Sequence, residues 1–60
     1  MSISVFRAGL QGIPGAERMI MSYEDGGKVQ VFSIDGTKVR VGPNATPAEV
    51  KEAFLALASE

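Results

Sequence analysis

The side chains of this 60-residue chain that could carry chemistry are carboxylates and amines, because the sequence contains no histidine and no cysteine. The commonest general base and the strongest nucleophile of enzymes are therefore missing. Two carboxylate pairs are candidates for acid–base work or for binding a hard cation, namely Glu24 with Asp25 and Glu49 with Glu52. They fall in a predicted turn and on the exposed side of a predicted helix, where no burial shifts a carboxyl pKa. We therefore expect no enzymatic activity, no metal and no cofactor.

Basic residues on the predicted strands form a second candidate site. Lys28, Lys38 and Arg40 are expected to share one sheet face, with Gln30 and Phe32 between them. Small barrels bind nucleic acid through basic and aromatic side chains arranged in this way. However, six basic residues face seven acidic ones, so the excess positive charge that drives phosphate binding is absent. A nucleic-acid-binding module is therefore the alternative hypothesis, and a solvated face whose charges protect a sheet edge is favoured.

Alternating apolar and polar residues predict four strands that must position these groups. The predicted strands are Ile3–Ala8, Glu17–Tyr23, Lys28–Ile34 and Thr37–Val41. A loop rich in glycine and proline, residues 9–15, separates the first two strands. The turns Asp25-Gly26-Gly27 and Asp35-Gly36 supply the positive φ that tight hairpins need. The strands should therefore follow one another as an antiparallel meander.

A helix is predicted after the last strand. Thr46 is the expected N-cap, Pro47 suits the first helical position, and Glu49 completes a capping box. Apolar residues then recur at helical spacing along one stripe: Val50, Ala53, Phe54, Leu57 and Ala58. Leu55 lies off this stripe, and nothing local explains a large apolar side chain there.

The order β-β-β-β-α predicts one small α+β domain over residues 1–60. The expected fold is a four-stranded antiparallel meander with one C-terminal helix on one face, and the sheet could curl into an SH3-like barrel. One helix covers one sheet face. With the valines of the last two strands toward the helix (Val29, Val31, Val39 and Val41), Phe32 and Ile34 are left on an uncovered face.

The second half of the chain resembles the opening hairpin and helix of a ubiquitin-like β-grasp domain. The resemblance rests on residues 29–32, the Asp35-Gly36 turn, residues 39–41 and the segment 43–50. It covers half of the chain and implies a hairpin that packs on a helix. The family has further strands after the helix and a terminal Gly-Gly tail, which this sequence lacks. Conjugation chemistry is therefore not implied.

A second resemblance is to the small SH3-like chromatin proteins of archaea. It rests on residues 19–23, the turn over residues 24–28 and the late helix. It implies a small barrel. Those proteins are strongly basic, whereas this chain has a net charge of -1, so DNA binding is not implied.

Small size and the uncovered face together predict a protein-binding function. A domain of this length buries only about 60% of its unfolded surface, so it commonly needs disulfides, a metal or association. Without cysteine, disulfides and Cys/His zinc sites are excluded. We therefore expect a small non-enzymatic module, a regulator, an inhibitor or a subunit of an assembly. It should bind a protein, first of all a second copy of itself, through Phe32, Ile34 and Leu55.

The acidic residues suggest a third possibility, an inhibitor of a basic partner. Glu24, Asp25 and Asp35 are expected to cluster at the hairpin tips. The sequence has no apolar run of the ~20 residues that a membrane span needs, and no signal peptide is recognised. Together with the absence of cysteine, this predicts a cytoplasmic protein that does not bind membranes.

Overall fold

The computed structural model describes residues 2–59 and places two helices on one face of a three-stranded antiparallel sheet. The elements are α1 (Ile3–Gly9), β1 (Ile20–Glu24), β2 (Val29–Ile34), β3 (Thr37–Val41) and α2 (Pro47–Ala58), with 3-10 turns at Ala16–Arg18 and Asp25–Gly27. The predicted α+β class, antiparallel sheet and C-terminal helix are confirmed. The predicted fourth strand and the SH3-like barrel are wrong, because the N-terminal segment is helical.

Helix α1 replaces the first predicted strand. Ser2 is its N-cap, and its hydroxyl accepts a hydrogen bond from the Val5 amide at 3.2 Å. Phe6 and Leu10 lie four residues apart and are both buried. The ring of Phe6 stacks on that of Phe32 with the centroids 4.7 Å apart. The short apolar run thus fits both the two-residue period of a strand and the 3.6-residue period of a helix, and packing against the sheet selects the helix.

Strand β1 begins three residues later than predicted, because a 3-10 turn precedes it. Gly15 turns the chain with a φ of 83°. Arg18 then binds the tip of the β2–β3 hairpin, where its guanidinium donates to both carboxylate oxygens of Asp35 at 2.8 and 2.7 Å. These contacts tie the loop between α1 and β1 to the sheet.

The register of the sheet reverses the predicted faces of β2, whereas those of β3 are as predicted. Phe32 lies opposite both Met21 and Val39, and opposite residues share a face. The face covered by the helices therefore carries Phe32, Ile34, Val39 and Val41. The other side, the open face, carries Ile20, Ser22, Glu24, Val29, Val31, Ser33, Lys38 and Arg40. The expectation that Phe32 and Ile34 are uncovered is wrong, since both are buried.

One apolar core lies between the sheet and the two helices. Both helices contribute to it, together with the loop that connects α1 to β1 and with strands β2 and β3. Its buried members are Phe6, Leu10, Ala16, Met19, Phe32, Ile34, Val39, Val50 and Phe54. Helix α1 therefore covers the part of the sheet that the sequence analysis assigned to a second chain.

Helix α2 begins as predicted. The Thr46 hydroxyl accepts a hydrogen bond from the Glu49 amide, and the Glu49 carboxylate accepts one from the Thr46 amide, both at 3.3 Å. This is the predicted capping box. Leu55 is 49% exposed, as its position off the stripe indicates. Leu57 is 38% exposed, so the apolar stripe extends beyond the part of the helix that the core covers.

The end of α1 approaches the start of α2 at a glycine. A Cβ atom added to Gly9 would overlap the Cβ atom of Pro47. The proline ring is rigid and forms the first residue of α2, so it cannot rotate away. Gly9 is therefore required by close helix packing rather than by its own backbone conformation.

We predict that Gly9→Ala lowers the free energy of unfolding by about 1–3 kcal/mol, the usual cost of overpacking, although alanine is the better helix former. Gly42→Ala is the matched control, because a Cβ atom there meets open space and Gly42 has no positive φ. The control should stay within about 0.5 kcal/mol of the native chain. Urea unfolding followed by circular dichroism measures both, and equal stability of the two variants would contradict the close packing of the helices.

Candidate functional site

The two edges of the sheet differ in what they offer a partner. Sheet order β1-β2-β3 leaves one side of β1 and one side of β3 without a neighbouring strand among the described residues. Strand β3 carries Lys38 and Arg40, charges of the kind that protect an edge from further pairing. Strand β1 has no lysine, arginine or proline, and it carries two large exposed apolar side chains, Ile20 at 66% and Tyr23 at 57%. The β1 edge is therefore the less protected one.

An ion pair crosses the open face. Arg40 Nε of β3 donates to Glu24 Oε1 of β1 at 2.9 Å, and because β2 lies between these strands the pair spans the middle strand. Val31 of β2 is only 3% exposed although no helix covers this face. The hydrogen bond from Arg40, and then its charge, lower the pKa of the Glu24 carboxyl. The one charged side chain of β1 is thus already neutralised within the chain.

The three residues predicted to contact a partner do not lie together. Phe32 is fully buried against Phe6, so its side chain is inaccessible to a second chain. Ile34 and Leu55 are brought together, and both line a shallow apolar groove of about 270 Å³ at the C-terminal half of α2. Only Leu55 of the three is substantially exposed.

The predicted basic face does not form. Lys38 and Arg40 lie on the open face, whereas Phe32 lies under the helices. Lys28 precedes β2 and is exposed. Arg40 is paired with Glu24. Of the residues expected to bind nucleic acid, only Lys38 and Arg40 share a sheet face, and Phe32 gives them no aromatic platform.

The acidic residues are also dispersed. The turn that holds Asp25 lies before β2, and the turn that holds Asp35 lies after it, so the two hairpin tips are at opposite ends of the sheet. Glu24 pairs with Arg40, and Asp35 pairs with Arg18. The predicted acidic cluster for a basic partner is therefore not assembled.

A cavity of about 320 Å³ lies between the start of α1 and the end of the sheet where β1 terminates. Its lining is Ser2, Ile3, Phe6, Met21, Tyr23, Gln30, Pro43, Asn44 and Ala45. Gln30 is the buried polar residue of this site, with only 6% exposure. Its Nε2 donates to Met21 Sδ at 3.0 Å and to Tyr23 Oη at 3.4 Å. Sequence analysis missed the site, although a glutamine in line with Phe32 and Ile34 was a signal for it.

Within residues 2–59, no group of three or more acidic, histidine or cysteine side chains is arranged to hold a metal ion. In the same part of the chain, no helix has the length and apolar character needed to cross a membrane. The chain matches no protein-family model, no curated protein and no solved structure. Its function has to be inferred from its own surface, where the β1 edge and the Gln30 cavity are the distinctive features.

The lowered pKa of Glu24 predicts a pH dependence of stability. A carboxyl whose pKa is lowered by folding stabilises the folded state at pH values above its ordinary pKa of 4.5. This stabilisation is lost as the pH falls through the lowered pKa of the folded state. Asp35, whose pKa is lowered by the hydrogen bond from Arg18, acts in the same direction. We expect the free energy of unfolding to decrease below about pH 4.5 and the decrease to be smaller in Glu24→Gln. The control Glu52→Gln, on the exposed side of α2, should follow the native curve. An unchanged acid dependence in Glu24→Gln would contradict the ion pair.

Proposed function

We propose that this chain is a protein-binding module that forms a closed homodimer, in which β1 pairs with β1 of a second copy. The observation that carries the proposal is the chemistry of the β1 edge: unpaired backbone groups, exposed Ile20 and Tyr23, and no charge that is left without a partner. Addition of a strand to such an edge is a common mode of protein recognition. This keeps the predicted partner and moves the contact surface from Phe32, Ile34 and Leu55 to β1.

The sequence of β1 is compatible with antiparallel pairing to itself. With the twofold axis at Ser22, each copy places Met21 opposite Tyr23 of the other, and the two Ser22 residues face each other. Sulfur–aromatic contacts and paired hydroxyls both favour such a pair. Glu24 lies opposite Ile20 and keeps its Arg40 partner within its own chain. The two three-stranded sheets then become one continuous antiparallel sheet.

Pairing through the other edge is disfavoured by charge. A twofold axis at Val39 of β3 would place Lys38 directly opposite Arg40 of the second copy, and like charges in that position are destabilising. Pairing of β1 with β3 of another copy would leave a free edge at each end and would extend into an open filament. Self-pairing of β1 is therefore the closed arrangement that does not place like charges opposite each other.

The proposed dimer is expected to be weak. A seam of five residues on each side is shorter than a standard interface, which buries about 1,600 Å² in total. The core of each copy is complete without the partner, so the monomer should fold on its own. We therefore expect a dissociation constant on the order of 100 µM, well above that of obligate dimers.

The test places like charges on the axis of the dimer. Ser22→Lys brings two lysines face to face in the proposed seam, while the side chain at this exposed position points away from the core. Thr37→Lys adds the same charge at an exposed position on the other edge strand, β3, although on the opposite sheet face, and is the control for the added charge alone. Sedimentation equilibrium from 1 µM to 1 mM should show a monomer–dimer equilibrium for the native chain and the control, with dimerisation of Ser22→Lys weakened at least tenfold.

Three outcomes would overturn the proposal. A monomer mass over the whole concentration range excludes the dimer. If Ser22→Lys and Thr37→Lys weaken the dimer equally, the seam does not lie at β1. Species larger than a dimer that grow with concentration indicate open pairing rather than a closed seam.

A further inference from the structure

We propose that the cavity beside Gln30 binds a small uncharged molecule that carries a carboxamide or lactam group on a planar ring. This site adjoins the dimer seam, because Met21 and Tyr23 of β1 contribute to both. The inference rests on Gln30, on the neutral lining of the cavity and on its size. It does not depend on the proposed dimer.

The carboxamide of Gln30 is buried but is not fully used by the chain. Its Nε2 donates to Met21 and Tyr23, whereas no described residue donates to its Oε1. Among the described residues, no completely enclosed side-chain nitrogen or oxygen lacks a partner, so this oxygen must be reachable from outside. Gln30 lines the cavity, and only 6% of the residue is exposed. Because Gln30 lines the cavity and is otherwise covered, the geometry points to this oxygen as the group that a ligand hydrogen-bond donor can meet there.

The lining selects a neutral ligand. It contains aromatic rings from Phe6 and Tyr23, the proline ring of Pro43 and the neutral amide of Asn44, but no acidic or basic side chain. A charged group that entered would lose water without gaining an opposite charge, which is costly. The rings instead favour a flat apolar body. A volume of about 320 Å³ lies at the lower end of small-molecule sites, which suits one ring with a substituent.

A carboxamide or lactam matches the polar groups in this cavity. It presents an N–H donor and a C=O acceptor side by side, so the donor can bind Gln30 Oε1 while the carbonyl accepts a hydrogen bond from the Asn44 amide or the Tyr23 hydroxyl. A carboxylate of the same shape has no proton to donate to Gln30 and carries a charge. The cavity should therefore distinguish an amide from the corresponding acid.

Nicotinamide and nicotinate are suitable probes, because they share a ring and differ in the amide and the carboxylate. Nuclear magnetic resonance titration of the labelled chain follows the side-chain amide of Gln30 and the ring of Tyr23, which is the only tyrosine. We expect saturable shifts with nicotinamide at a dissociation constant on the order of 1 mM, given the small number of ligand atoms. Nicotinate should bind at least tenfold more weakly, and so should acetamide, which lacks the ring.

Gln30→Met tests the residue directly, because methionine keeps the length of the side chain and removes the hydrogen bond. We expect affinity for nicotinamide to fall about tenfold, the value of one buried hydrogen bond. Gln11→Met changes the same residue type at an exposed position outside this cavity and should bind as the native chain does. Ser22→Lys should also bind normally, so failure of the dimer and failure of this site are distinguishable.

The proposal is overturned if nicotinamide gives no saturable shift at the cavity, if nicotinate or acetamide binds equally well, or if Gln30→Met retains native affinity. If Gln30→Met does not fold, the comparison of the three probes on the native chain still decides the question. Saturable shifts confined to another surface, such as the groove beside Leu55, also contradict it.

Discussion

The stacking of Phe6 on Phe32 is the contact on which the rest of this structure depends. Phe32 lies in the middle strand and is completely buried, and the ring of Phe6 attaches α1 to the sheet above it. Without that contact the C-terminal helix alone would leave part of the sheet uncovered. A chain of 60 residues without cysteine has few other means of completing a core. Helix α1 thus supplies the stabilisation that a small domain often gains from a disulfide or an obligate partner.

A completed core confines interaction to the edges and to the rim of the helical layer. On the open face, the ion pair between Glu24 and Arg40 crosses from β1 to β3 and neutralises the one charge of β1. The two edges consequently differ: β3 retains the charge of Lys38, which belongs to no ion pair among the described residues, whereas the one charge of β1 is paired. Helix α1 lines the Gln30 cavity on one side, so the same packing that buries Phe32 also creates the polar site beside it.

Some features that sequence analysis missed were nevertheless encoded locally. A two-residue turn at Asp35-Gly36 pairs Ile34 with Thr37, and continued pairing places Phe32 opposite Val39. The register therefore follows from the turn, and the predicted separation of Phe32 from the valine of β3 was incompatible with it. Gln30 shares this alternation, so its burial among apolar neighbours also follows once the register is known. The hydrogen-bond partners of its carboxamide cannot be read from this hairpin, because Met21 and Tyr23 belong to another strand.

The sequence by itself determined the hairpin turns, the limits of β3 and the capped start of α2, because each depends on residues within one turn of chain. Only the tertiary structure decided the state of the N-terminal segment, the late start of β1 and the site around Gln30. Six residues of alternating character fit a strand or a helix equally well locally. Phe6 stacks on Phe32, and Arg18 binds the carboxylate of Asp35, only once distant segments of the chain have met. These tertiary contacts select the helix over the strand for the N-terminal segment and fix the loop before β1.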